Sequence, residues 1–126
     1  MNYKGTIIEE SLKDRRILDG LNILDTRVEP VTSEHRTPWL EKWTLHTVEI
    51  PEADAVSMAE RLRQNIETEH TAWYIDYKNP KLHYIIFPQR ILVVDRAKPE
   101  EYAKVTQYGV SLGIPEHQLD FSPDIQ

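Results

Sequence analysis

Residues 72–87 read Ala-Trp-Tyr-Ile-Asp-Tyr-Lys-Asn-Pro-Lys-Leu-His-Tyr-Ile-Ile-Phe, with aromatic and β-branched side chains on both sides of an Asn-Pro dipeptide. This pattern is typical of two antiparallel strands joined by a turn. If Asn79 and Pro80 are the two loop residues, Asp76 lies opposite His83. The predicted hairpin therefore brings two ionisable side chains, Asp76 and His83, into contact.

Successive side chains of a strand point to opposite faces of the sheet, so the hairpin has two distinct sides. One side carries Trp73, Ile75, Tyr77, Leu82, Tyr84 and Ile86. The other carries Ala72, Tyr74, Asp76, Lys78, His83, Ile85 and Phe87. Both sides are substantially apolar, and we expect the helices to cover one of them. The long loops, the tail 114–126 or a second copy of the chain would cover the other, and we predict a homodimer.

The rest of the chain extends this hairpin into a larger sheet. Strands are predicted at residues 3–9, 23–32, 43–50 and 90–95, and helices at 11–20, 52–67 and 99–112. The clearest helix has Ala55, Met58, Leu62 and Ile66 at helical spacing. The order β-α-β-β-α-β-β-β-α predicts a single α+β domain, residues 1–126, with a mostly antiparallel sheet and helices packed on it. The part from Trp43 onward is compatible with a ferredoxin-like arrangement.

Composition limits the compartment and the partners. The chain has no cysteine, which excludes disulfides and thiolate chemistry and fits a reducing cytoplasm. No signal peptide or membrane-spanning run is seen, so we expect a cytoplasmic protein without a membrane partner. The 15 basic residues are scattered and the net charge is −6, which argues against a nucleic-acid partner. No Gly-rich phosphate loop or hydrolase motif occurs, and we expect no cofactor.

Asp76 and His83 are the strongest candidates for chemistry. A carboxylate beside an imidazole raises its basicity and selects its tautomer, as general-base catalysis requires. Tyr74, on the same face, would position a polar ligand group, and Lys78 would bind an anionic one. The alternative is a cross-strand ion pair that stabilises the hairpin.

His46 is a second candidate, because it shares a strand face with Thr44, Val48 and Ile50. It is either a ligand-binding residue or a buried histidine that bonds to backbone. His46, His83 and Asp76 would also make a two-histidine, one-carboxylate set if their strands were adjacent, but the spacing does not require a metal and we assign none.

Tryptophan is the third kind of candidate. Trp43 and Trp73, with Trp39, would line a groove for a planar ligand, or they anchor the core and the loops.

Residues 43–95 resemble a group of small uncharacterised prokaryotic proteins. The resemblance rests on Trp-Thr-Leu-His at 43–46, Trp-Tyr-x-Asp-Tyr-Lys-Asn at 73–79 and His-Tyr-Ile-Ile-Phe at 83–87. It implies no established activity and no catalytic residue. We expect a small module that binds a ligand or a protein. The alternative is a cofactor-independent enzyme that acts on a small polar or anionic substrate, and a third reading is a structural protein that only dimerises.

Overall fold

The computed structural model describes residues 1–70 and 72–119. Within them the chain forms one six-stranded sheet and two α-helices. The strands are β1 (Tyr3–Ile8), β2 (Asn22–Pro30), β3 (Lys42–Ile50), β4 (Ile75–Lys78), β5 (Leu82–Ile86) and β6 (Ile91–Asp95), and the helices are α1 (Ala55–Asn65) and α2 (Glu101–Ser111). The spatial order is β2-β3-β1-β4-β5-β6, and all neighbours are antiparallel. This confirms the predicted α+β class.

Strand β1 lies at the centre of the sheet, between β3 and β4. The unit β3-α1-β4 is therefore a split crossover, in which two parallel strands enclose a third, as in half of a ferredoxin-like sheet. The β4-β5 hairpin then extends outward to β6 instead of returning to β3. Strands β3, β1 and β4 are therefore neighbours in the sheet, and the candidate site lies on them, near the start of β4.

Residues 11–20 are shorter and more irregular than the predicted helix. They form parts of two 3-10 helices, Glu9–Ser11 and Arg15–Gly20. The Ser11 hydroxyl donates back to the carbonyl of Ile8 at 2.6 Å instead of capping a helix that follows. Leu12, which lies between the two 3-10 helices, forms a β-bridge with Ile66, so the backbone there is extended. Tertiary pairing thus replaces the predicted α-helix.

The two helices lie on opposite faces of the sheet, which corrects the expectation that they cover only one. The first core cluster joins Ala55, Met58, Ala59, Leu62 and Ile66 to Ile7, Val48, Tyr77 and Ile86. The second joins Tyr102 and Val105 of α2 to Ile85, Phe87 and Val94. Ile85 and Ile86 are neighbours in sequence, so their opposite directions place α1 and α2 on different sides. An uncovered face is therefore no longer an argument for a dimer at the β5-β6 end.

The β4-β5 register differs by two residues from the prediction. Asp76 lies opposite Ile85, and Lys78 opposite His83. The cause is the turn, where the Asn79 side chain accepts hydrogen bonds from the N–H groups of residues 81 and 82, both at 2.8 Å. This bonding makes Asn79 the first residue of the turn and Pro80 the second, which is the favoured position for proline. A shift of two preserves the faces, so the predicted division of side chains holds for both strands.

Candidate functional site

A groove crosses β3, β1 and β4 on the α2 side of the sheet, beside the part that α2 covers. It encloses about 230 Å³. The sheet supplies its floor, with Thr6 and Ile8 from β1 and Leu45 from β3. The remaining lining residues are Trp43, Ala72, Trp73, Tyr74, Asp76 and Gln118. The groove thus contains four of the residues that the sequence singled out.

Two indole rings form the aromatic wall of the groove. The ring centroids of Trp43 and Trp73 lie 5.4 Å apart, and the planes are tilted by 56°. The Trp43 indole N–H donates to the Thr37 hydroxyl at 2.9 Å, and that of Trp73 donates to Glu67 at 3.0 Å. Both indole donors are therefore engaged by the protein. Trp73 is only 5% exposed, so the half-buried Trp43 supplies most of the accessible ring surface.

Glu67 holds this wall from behind. Besides the Trp73 indole, its carboxylate accepts the backbone N–H of His70 at 2.8 Å. Burial acts to raise the pKa of Glu67, but these hydrogen bonds act against it, and together they hold the pKa below its ordinary value. His70 in turn stacks on Trp39 with centroids 4.9 Å apart. Trp39 lies outside the groove lining and packs on His70 instead.

Asp76 carries the carboxylate of the groove, and His83 lies beneath it. His83 Nε2 is 2.7 Å from Asp76 Oδ2, across a diagonal of the β4-β5 pair. The Asp76 side chain is 32% exposed and that of His83 only 2%. An ionised carboxylate only accepts hydrogen bonds, so Nε2 carries the proton of this contact. Within the described residues Asp76 Oδ1 has no hydrogen-bond partner, and a ligand in the groove meets Asp76 before His83.

The chain of hydrogen bonds continues from His83 into α2. His83 Nδ1 lies 3.0 Å from the Tyr102 hydroxyl, so the second ring nitrogen is also hydrogen-bonded. Burial raises the pKa of Tyr102, and a hydrogen bond from Arg96 opposes that rise. Arg96 also donates to the backbone oxygen of Asn79 at 2.7 Å. Asp76 is therefore the exposed end of a buried polar chain that runs through His83 to Tyr102.

Tyr74 and Lys78 share the face of Asp76 but differ in position. The Tyr74 hydroxyl donates to the carbonyl of Gln118, and its ring contacts Phe87 at 5.9 Å between centroids. Tyr74 therefore joins the groove wall to the residues after α2. Lys78 lies one further row along the sheet, opposite Lys4 of β1, and is not part of the groove lining.

His46 lies on the other face of the sheet, away from the groove. Its Nε2 is 3.0 Å from Glu9 Oε1, and its Nδ1 is 2.8 Å from the Thr26 hydroxyl. The buried imidazole thus bonds to side chains, not to backbone. Strands β1 and β4 separate His46 from His83, which rules out the metal set that the two would have formed with Asp76.

Several groove residues carry no local signal in the sequence. Thr6, Ile8 and Leu45 form the floor only because β1 and β3 pair across 42 residues or so of chain. Gln118 reaches the groove because its side-chain amide donates to the carbonyls of Glu34 and His35, which ties the end of the described chain to the loop before β3.

A larger depression, about 660 Å³, lies at the other end of β4 near Met1, Tyr3 and Lys81. Its main polar groups already have partners. The N-terminal amine pairs with Glu52, and the Asn79 amide donates to the Met1 carbonyl. The smaller groove is therefore the better candidate, since it joins ring surface to an available carboxylate.

The fold and the groove define an α+β protein with an aromatic-walled acidic site on its sheet. No protein family matches this chain, and searches of characterised proteins and of solved structures also found no match. The resemblance to small prokaryotic proteins therefore stays a prediction. In residues 1–70 and 72–119, no three histidine or carboxylate side chains are arranged to hold a metal ion. In the same ranges no helix is long and apolar enough to cross a bilayer.

Proposed function

We propose that this chain is a small homodimeric binding protein whose groove takes a ring-bearing molecule with a hydrogen-bond donor. One observation supports this most directly: the half-buried Trp43 and the edge of the largely buried Trp73 line the same groove as Ile8, Leu45 and the partly exposed carboxylate of Asp76. Apolar surface with one convergent polar group is the usual composition of a small-molecule site. The absence of cysteine fits the proposed cytoplasmic location.

The volume of the groove sets the size of the ligand. A dry cavity of about 150 Å³ accommodates benzene. The groove, at about 230 Å³, therefore suits one substituted ring or a small bicyclic ring. Larger molecules would project into solvent past Gln118 or Trp43.

The polarity of the groove sets the chemistry of the ligand. Asp76 accepts hydrogen bonds, so the ligand must offer N–H, O–H or ammonium there. Ammonium also gains from the faces of Trp43, Trp73 and Tyr74, because aromatic rings attract cations. The net charge of −6 favours the approach of a cation over that of an anion. An arylalkylamine, which joins an aromatic ring to an alkylammonium group, is therefore the proposed ligand class.

Two matched probes test this class. Tryptamine and indole-3-propionate share an indole ring but carry opposite charges. In calorimetry we expect tryptamine to bind more tightly than indole-3-propionate. We expect D76N to raise the Kd of tryptamine by roughly tenfold or more, since a charge-assisted hydrogen bond is worth about 1.5–3 kcal/mol. D19N, an exposed carboxylate outside the groove, is the control.

A second variant protects the test against loss of folding. L45W fills the floor of the groove and leaves Asp76 unchanged, so it should block both probes while the Asp76–His83 contact persists.

In NMR spectra, the indole N–H signals of Trp43 and Trp73 should move on tryptamine binding, and that of Trp39 should not. Equal affinity of the two probes, or tryptamine binding that D76N leaves intact, would contradict the proposed ligand class.

Acid–base catalysis is the second candidate function, and the buried hydrogen-bond chain favours it. Asp76 is the group that faces the groove, so it would take the proton, while His83 and Tyr102 would position it from behind. This assigns to Asp76 the contact with substrate that the sequence assigned to His83. The test is NMR observation of any ligand that binds: a ligand that is chemically unchanged after hours with the protein supports binding alone.

A further inference from the structure

Strand β2 is a long edge strand that stands outside both layers of helices. It spans nine residues, Asn22–Pro30, and all are exposed except Glu29, which is half-buried. It pairs only with β3 among the described residues, so its outer N–H and C=O groups face away from the sheet. Leu24 is 46% and Val28 55% exposed. Such an edge is a ready surface for another strand.

The sequence of β2 complements itself in one antiparallel register. Neighbouring residues direct their N–H and C=O groups alternately to the two sides of a strand, so a symmetric pair is centred on a residue. A centre at Thr26 places Asp25 opposite Arg27 of the second copy, and Arg27 opposite its Asp25. It also places Leu24 opposite Val28. Two opposite-charge pairs form in the regular part of the strand, and the two Leu24–Val28 contacts flank them at the bulges. Arg27 also lies 3.2 Å from Glu29 of its own strand, so each new pair extends an existing ion pair.

The nearby registers are less favourable. A centre at Asp25 brings two aspartates together, and a centre at Arg27 brings two arginines together, which is destabilising across a strand pair. A centre at Val28 pairs Arg27 with Glu29, but it places Pro30, which has no N–H, opposite Thr26 within the pair, whereas the centre at Thr26 leaves Pro30 opposite Asn22 at the end of the strand. The charges on β2 therefore select one register while they discourage others.

The opposite edge of the described sheet offers no such match. Strand β6 has five residues and a single charge, Asp95. The Asp95 carboxylate already accepts the backbone N–H of Ala97 at 2.9 Å, and α2 packs on one face of the strand. The nine-residue edge is therefore the surface with a defined partner.

We infer that β2 is a dimerisation edge that takes β2 of a second copy of this chain, antiparallel and centred on Thr26. The two sheets join into one continuous sheet, and the grooves lie outside the junction. The β-bulge between Ile23 and Asp25 occurs once in each copy and therefore limits regular pairing at both ends, so the pairing is short and the dimer concentration-dependent. This inference rests on the proposed homodimer and is independent of the proposed ligand.

Charge reversal in sedimentation velocity tests the pairing. The wild-type chain should shift from monomer to dimer as concentration rises. R27D should raise the dimer Kd by roughly tenfold or more, because two attractive pairs become repulsive. The double variant D25R/R27D exchanges the charges and should restore the dimer. An equimolar mixture of D25R and R27D should form a heterodimer, although each alone is monomeric. R61D, on the solvent face of α1, is the control.

Cross-linking tests the register. The chain has no native cysteine, so T26C should form a single intermolecular disulfide. Residues directly opposite in antiparallel strands have Cα atoms about 4.5–5.5 Å apart, which suits a disulfide. V28C is the matched control and should not form one, because the two copies of this residue lie four positions apart in the register.

Each result decides the inference separately from the ligand. T26C cross-linking together with rescue by D25R/R27D supports it. A V28C disulfide without a T26C disulfide, or a dimer that R27D leaves unchanged, would place the interface elsewhere. A monomer at all concentrations overturns the homodimer as well. Tryptamine binding to R27D would show that the groove functions without the dimer.

Discussion

At the scale of single residues, the Asp76–His83 contact is the part of the site that sequence reasoning found. It was found although the register was off by two, because a shift of two keeps each side chain on its face. The partners Tyr102 and Arg96 were not found, since they come from an element that only folding brings to His83. The burial of His83 was not predicted either. It depends on α2 packing over that face of β5, and the hydropathy of the sequence does not show where α2 packs.

His83→Leu should destabilise the protein strongly. The change removes both bonds of the imidazole and leaves Asp76 and the buried Tyr102 hydroxyl without that partner. We expect a loss of about 2–4 kcal/mol in the free energy of unfolding, measured in urea. Y102F, which removes only one hydrogen bond of the chain to His83, should cost about 1 kcal/mol. Equal, negligible effects would mean that the polar chain contributes nothing to stability.

Glu67 should make stability depend on acid pH. Its pKa lies below the ordinary value of 4.5 in the folded state, so the folded state favours the ionised carboxylate. The stabilisation is present above pH 4.5 and is lost as the pH falls through the lower folded-state pKa. E67Q should flatten the loss of unfolding free energy between about pH 5 and pH 3. E69Q, an exposed neighbour, is the control and should retain the slope.

At the scale of elements, most strands and both α-helices follow from local patterns. The stripe of α1, Ala55, Met58 and Leu62, is buried as its spacing predicts, while Ile66 is buried just after the helix, in the bridge to Leu12. The exception is the region of residues 11–20, where the Leu12–Ile66 bridge and the Ser11 hydrogen bond to Ile8 decide the structure. Local propensity could not show this, because the bridge joins residues far apart in sequence.

Gly5→Ala should disrupt the central strand. A Cβ at this position would lie 2.0 Å from the backbone oxygen of Asp76 and 2.8 Å from the Tyr77 Cα. Backbone atoms in a paired strand cannot move aside cheaply, so we expect a loss of about 3 kcal/mol or more in the unfolding free energy. Gly20→Ala meets nothing within 4 Å and should change stability by less than about 0.5 kcal/mol. Similar effects of the two substitutions would contradict the close β1-β4 approach.

At the scale of the whole molecule, the sheet separates two cores. The α1 cluster and the α2 cluster share no buried residue, yet both depend on the same strands, since neighbouring residues of β5 enter different clusters. In this two-sided arrangement the groove and the β2 end are among the parts of the described sheet that neither helix covers. The order of the predicted strands and helices indicates the fold class but not this division.

Leu62→Ala and Val105→Ala should test whether the two cores unfold together. Both residues are buried, one on each side of the sheet. Leu62→Ala should cost about 2–5 kcal/mol, and Val105→Ala less, because it removes fewer atoms. The double variant should be additive to about 0.5 kcal/mol, since the sites do not touch. Circular dichroism and tryptophan fluorescence should report one coincident transition, and two separate transitions would mean that the sides fold independently.

The α+β class, the faces of the hairpin and the Asp76–His83 pair were available from the amino-acid sequence, because each depends on periodicity or on a turn within a few residues. The groove, the place of His46 on the opposite face and the freedom of the β2 edge were not. They depend on β1 inserting between β3 and β4, which pairs residues 37 to 47 positions apart in β1–β3 and 70 to 74 positions apart in β1–β4. The alternation of side chains along a strand determines which face of the sheet a residue lies on. Only the order of the strands determines which residues of other strands it contacts on that face.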